Sequence, residues 1–129
     1  MRYFLKIEDC DESGNPIGDA LAVIGDGNYA EGKLVIGYLF DGAGYTLEVS
    51  GNCVRHERRS DVLMSLEFRH GELTYGSLRS GELNGQLPIY THELKISVSE
   101  KGCSVRLVFS DGVQGGDKTV KNITARAVQ

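Results

Sequence analysis

Apolar and polar residues alternate with a period of two along most of this chain, and glycines punctuate the alternation. Tyr3, Leu5 and Ile7 alternate with Phe4, Lys6 and Glu8, which predicts a first strand with one buried face. Residues 9–16 follow as a turn-forming segment rich in Asp, Gly, Asn and Pro. Residues 19–30 are ambiguous, because Ala20, Leu21, Ala22, Val23 and Ile24 fit a short helical turn or a strand, and Asp26-Gly27-Asn28 interrupts them. The signal is clearer beyond. Residues 33–40 are β-rich and close on Asp41-Gly42-Ala43-Gly44. Tyr45, Leu47 and Val49 alternate with Thr46, Glu48 and Ser50, and Ser50-Gly51-Asn52 makes a hairpin-like turn. Residues 53–59 form a polar strand, and Ser60-Asp61 turns the chain. Val62, Met64, Leu66 and Phe68, alternating with Leu63, Ser65, Glu67 and Arg69, give the plainest strand. After His70-Gly71, residues 72–77 extend again, and residues 79–88, with two glycines and Pro88, predict a loop. Residues 89–98 predict a long strand, 103–109 another, and 118–128 the last, with a glycine-rich turn over 111–117.

Nine or ten short strands joined by tight turns, with no long helix, define an all-β chain of one domain over residues 1–129. Sequential hairpins make an antiparallel meander, and a meander of this size closes into a barrel to remove its exposed edges. A two-sheet sandwich fits the same periodicity.

Composition narrows the classes. A chain of 129 residues buries enough surface to fold without disulfides or metals. Seventeen glycines beside two prolines suit many tight turns. The net charge of −4 and a pI near 5.3 argue against a nucleic-acid partner. Residues 1–53 hold nine acidic and three basic groups, whereas residues 54–129 hold nine acidic and eleven basic. Cys10, Cys53 and Cys103 are odd in number and widely spaced, so neither a disulfide framework nor a zinc site is indicated. No signal-peptide run or stretch of 18 apolar residues is present, which predicts no membrane association and a cytoplasmic location.

From about residue 25 onward the order of features resembles the YwiB-like family of small bacterial proteins. The residues that carry it are Tyr38-Leu39-Phe40, Tyr45-Thr46-Leu47-Glu48-Val49, Arg58-Arg59-Ser60, Met64-Ser65-Leu66-Glu67-Phe68 and Tyr90-Thr91-His92-Glu93-Leu94. The resemblance implies a calycin-like barrel, related in shape to the lipocalins, of about eight to ten strands. It implies no activity, since the family has none assigned.

In such a barrel the polar residues that share a face with apolar ones are the candidates for ligand contact. In 89–98 the alternation sets Tyr90 and His92 on the face of Leu94, Ile96 and Val98, so His92 reads as a core histidine, a rim residue or a ligand contact. In 54–59, Val54, His56 and Arg58 share one face, and Arg55, Glu57 and Arg59 the other. An inward Arg58 beside His56 suits a carboxylate or phosphate, because a guanidinium binds two oxygens at once. The same run also reads as a solvated edge strand whose charges discourage pairing. His56, His70 and His92 lack metal-ligand spacing, and no nucleophile elbow or strand–helix phosphate loop occurs. No catalytic set, metal or cofactor is therefore expected.

Two functions remain. One is a small-molecule binding module whose lumen takes a partly apolar or anionic molecule, with Arg58 and His56 as polar anchors among Tyr45, Phe68, Tyr75, Tyr90 and His92. The other is a solid barrel acting through its surface as a structural or protein-interaction module, for which a homodimer is one form. An enzyme ranks below both for want of an acid–base or nucleophile set.

Overall fold

The computed structural model describes residues 1–112 and 116–128. Ten strands run in chain order: β1 (Arg2–Asp11), β2 (Leu21–Ala30), β3 (Lys33–Phe40), β4 (Ala43–Val49), β5 (Val54–Arg59), β6 (Val62–Phe68), β7 (Leu73–Ser80), β8 (Leu83–Ser99), β9 (Gly102–Ser110) and β10 (Thr119–Val128). Each pairs antiparallel with the next, and β1 pairs with β10, so the sheet is a closed barrel with no free side. The closing register runs from Arg2 opposite Val128 to Asp11 opposite Thr119. The run 54–59 is therefore an interior strand of the sheet, not an edge. Among the described residues no helix is long and apolar enough to cross a membrane.

An up-and-down barrel sorts its connections. The turns after β2, β4, β6 and β8 lie at one end with both chain termini, and those after β1, β3, β5, β7 and β9 lie at the other. We call these the terminal and distal ends. Leu5, Leu34, Ile36, Leu47, Val49, Val54 and Leu107 are wholly buried inside. At the terminal end the Tyr3 hydroxyl donates to the Glu100 carbonyl oxygen at 2.6 Å and ties the first strand to the β8–β9 turn. A small second cluster, Cys10, Val108 and Val120, forms one cross-strand row on the outer face.

Two segments differ from their sequence reading, each for a physical reason. Residues 21–30 form an uninterrupted strand through Asp26-Gly27-Asn28. Gly25 and Gly27 serve close approach there, not turning: a Cβ on Gly25 would lie 2.7 Å from the Gly37 carbonyl oxygen, and one on Gly27 2.8 Å from the Tyr3 ring. Residues 79–88, expected as a loop, are mostly strand, with the turn confined to Gly81 and Glu82. Pro88 fits because β9 pairs with β8 only from Tyr90 onward. The Thr91 amide donates to Glu72 beside β7, so by alternation position 88 would aim its amide away from β7, where no strand needs it. The turn expected over 111–117 lies partly outside the described residues.

Candidate functional site

Cross-strand partners place their side chains on the same face of a sheet, so register decides what points inward. One row runs Tyr38 (β3), Tyr45 (β4), Arg58 (β5), Met64 (β6), Leu78 (β7). Its neighbour toward the terminal end runs Ile36, Leu47, His56, Leu66. Ile36 and Leu47 are wholly buried core residues, which fixes both rows as inward. On the opposite wall Asp9 (β1) pairs with Lys121 (β10), which pairs with the buried Leu107 (β9), so Asp9 and Lys121 also face inward. The interior is thus apolar toward the terminal end and polar toward the distal end.

The polar part is aromatic on one side. The Tyr38 and Tyr45 rings stack with centroids 5.0 Å apart and planes within 5°. His56 lies 5.6 Å from Tyr45 and 6.0 Å from Tyr38 by ring centroids. Its Nε2 is 2.5 Å from the Tyr38 hydroxyl. Burial, with a smaller push from the Lys121 ammonium, lowers the His56 pKa to about 4. His56 is neutral at pH 7, and its Nε2 shares one hydrogen bond with the Tyr38 hydroxyl. Burial and the neighbouring Tyr45 raise the Tyr38 phenol well above its ordinary value, which keeps it protonated.

The charges are partly compensated. The Lys121 ammonium stands 3.6 Å from Asp9 Oδ1, an ion pair too long for a hydrogen bond. Arg58 is half-buried, and no ion pair among the described residues includes it. Three buried side-chain polar atoms have no hydrogen-bond partner among the described residues: Arg58 Nε, Asp9 Oδ1 and Thr91 Oγ1. All three belong to inward residues, since Thr91 pairs with the core residue Phe109. Buried polar atoms left unpaired cost about 1–3 kcal/mol each, so three of them on the inward face are informative.

The expected site residues divide. Arg58, His56 and Tyr45 lie together in the two inward rows. Phe68 faces inward but is wholly packed, its ring 5.2 Å from Phe109, and belongs to the core. Tyr75 stands outside the barrel, 62% exposed. Tyr90 and His92 are corrections too. A β-bulge between Thr91 and Glu93 breaks the alternation, so Thr91 shares the inner face with Leu94, Ile96 and Val98. Tyr90 pairs with Ser110 on the other face, and His92 follows it, with Nε2 2.8 Å from Ser110 Oγ and its ring 4.8 Å from Tyr90. Burial and Lys118 lower the His92 pKa, against a smaller opposing effect of Glu12.

Sequence reasoning missed Tyr38, Asp9, Lys121 and Thr91. Lys121 alternates in step with Ile123, Ala125 and Ala127, a signal that was available. Thr91 carried none, because only the bulge turns it inward.

No protein-family model matches the chain, and no curated protein matches it in sequence. Among solved structures it is similar to the YwiB protein of Bacillus subtilis, with a TM-score of 0.75 and 18% sequence identity over 99% of this chain and 91% of that one. Identity that low transfers the architecture and no residue's role. The chain therefore shares the barrel fold of YwiB, the fold that its strand order and the resemblance of its segments implied.

Proposed function

We propose that this barrel binds a small, partly apolar monoanion in the distal half of its interior. The observation that carries the reading is the buried Arg58 Nε without a partner, next to Tyr45 in the inward row. Asp9 offsets Lys121 and His56 is neutral, so Arg58 is an inward cation without an ion-pair partner among the described residues. A guanidinium in that position suits a carboxylate, and the parallel Tyr38–Tyr45 pair supplies an apolar, planar wall. A ten-stranded barrel is also wider than the eight-stranded size that side chains just fill.

Titration calorimetry with benzoate, cinnamate, acetate, phosphate and benzylammonium tests this. The aromatic carboxylates are expected to bind more tightly than acetate and the cation not at all. Arg58→Gln is expected to abolish binding, while Arg55→Gln, on the outer face, leaves it intact. Absence of heat and of thermal stabilisation with every anion, or binding indifferent to Arg58→Gln, refutes the proposal.

A further inference from the structure

The outer face of β2–β4 carries two glycines that nothing inside the chain requires. Gly37 and Gly44 lie in strand interiors, where glycine destabilises by roughly 0.5–1 kcal/mol relative to alanine. Neither has a positive φ. A Cβ on Gly37 would approach nothing closer than 3.9 Å, and one on Gly44 nothing closer than 3.8 Å. The contrast with inward Gly25, Gly27 and Gly76 is sharp, since a Cβ there would come within 2.6–2.8 Å of backbone or side-chain atoms. Outward strand glycines with free space above them mark a place where something from outside comes close to the sheet.

The surroundings indicate what comes close. The hollow over these glycines measures about 440 Å³ and is bordered by Ile24, Asp26, Leu39 and Arg59. Leu39 is 80% exposed and Ile24 43%. Leu39 and Arg59 are the cross-strand neighbours of Gly44, one on each side, so the glycine forms a notch between an apolar knob and a cation. Arg59 is held over the sheet by donating from Nη1 to Thr46 Oγ1 at 2.8 Å. Asp26 pairs with Gly37 on the far side of the patch. No ion pair among the described residues includes Asp26 or Arg59. They sit on β2 and β5, three strand spacings apart, or about 14 Å at roughly 4.8 Å per spacing.

We infer that this face is a two-fold interface between two copies of this chain. It carries both a knob (Leu39) and a notch (Gly37 and Gly44), and both an anion (Asp26) and a cation (Arg59). That self-complementarity is what an isologous contact needs, since each element must meet its counterpart on an identical surface. Asp26 of each copy faces Arg59 of the other, and Leu39 of each enters the notch of the other.

Sedimentation velocity over a concentration series is expected to show a monomer–dimer equilibrium. Asp26→Arg and Arg59→Asp are each expected to weaken self-association roughly tenfold or more, because like charges then meet across the axis. Mixing the two variants is expected to recover a dimer, now mixed, because two cations on one chain face two anions on the other. Gly44→Val is expected to weaken the dimer while the melting temperature holds or rises, which separates a lost interface from a damaged barrel. Three results each overturn the inference: a protein that stays monomeric at every attainable concentration, a dimer indifferent to the charge reversals, or single variants that do not pair on mixing.

Discussion

Burying a neutral histidine in the barrel makes folding stability depend on pH in a window that follows from the structure. His56 has an ordinary pKa of 6.5 in the unfolded chain and about 4 in the folded one. The folded state therefore resists protonation, and the unfolded state binds the proton first as pH falls. Stability is full above pH 6.5, declines as pH falls from 6.5 toward 4, and levels off below 4. That gap corresponds to at most about 3–4 kcal/mol. Of this, about 2 kcal/mol is lost between pH 7.5 and 5, where the unfolded residue is mostly charged and the folded one mostly is not. For a chain of this length that is a fall in melting temperature of roughly 6–10 °C. Carboxylates titrate near the lower edge of the window, so the informative quantity is the difference between the wild-type protein and His56→Gln in urea unfolding across this range. His56→Gln keeps a hydrogen-bonding group near Tyr38 and removes the titration. Its stability is expected to change less with pH, by about 2 kcal/mol over the interval. A variant with the same pH slope as wild type, or a wild type that gains stability on acidification, refutes the assignment of His56 as buried and neutral.

Other substitutions probe the same inward residues and the barrel wall. Arg58→Met is expected to raise the stability of the ligand-free protein by roughly 1–3 kcal/mol in urea melts, because it removes a partly buried charge that has no partner. Lys121→Met is expected to shift the His56 titration upward, read from imidazole proton shifts by NMR, since the ammonium disfavours the charged ring. Gly76→Ala is expected to destabilise the barrel by roughly 2–4 kcal/mol, because its Cβ would sit 2.6 Å from the Ser65 carbonyl oxygen and 3.0 Å from Leu66. Gly85→Ala, with open space around it, is expected to stay within about 0.5 kcal/mol in the same melts.

The alternation of apolar and polar residues sufficed for nine of the ten strands because a barrel wall with a packed inside and a wet outside imposes a period of two. It failed wherever a local choice obeyed a distant partner. Gly25 and Gly27 look like turn residues until Tyr3 and β3 are placed against them. Pro88 looks like a loop residue until β9 proves to end short of it. The site was half legible for the same reason. His56 and Arg58 lie in an unbroken strand, where period two assigns faces correctly, so spacing alone set them on one face with Val54, and closure of the barrel decided that this face is the inner one. His92 lies at the bulge, and one extra residue reverses every face assignment on its far side. The partnership of Asp9 and Lys121 depends on closure between the first and last strands, 112 positions apart in the sequence, and no local pattern encodes it.

Why the interior is polar at one end only follows from what each end must do. At the terminal end both chain termini and the first strand have to be held, and wholly buried Leu34, Val49 and Val54 with the tethered Tyr3 do that by exclusion of water. Had stability alone shaped the distal half, apolar residues at positions 9, 56, 58, 91 and 121 would serve it better, since each present side chain there carries a desolvation penalty and three retain an unpaired atom. Local violations of the packing rules are informative when several fall on one face, and these all lie on the inward face of the barrel. The same logic runs through the outer glycines, where a weak strand former is kept at positions 37 and 44 although a larger side chain would fit. Both sets sacrifice stability where the chain itself gains nothing, so each points to a second molecule: a small anion inside and another copy of the barrel outside. Because the two sites lie on opposite faces of the sheet, Arg58→Gln and Asp26→Arg are expected to separate them, the first silencing titration with benzoate and leaving sedimentation unchanged, the second doing the reverse.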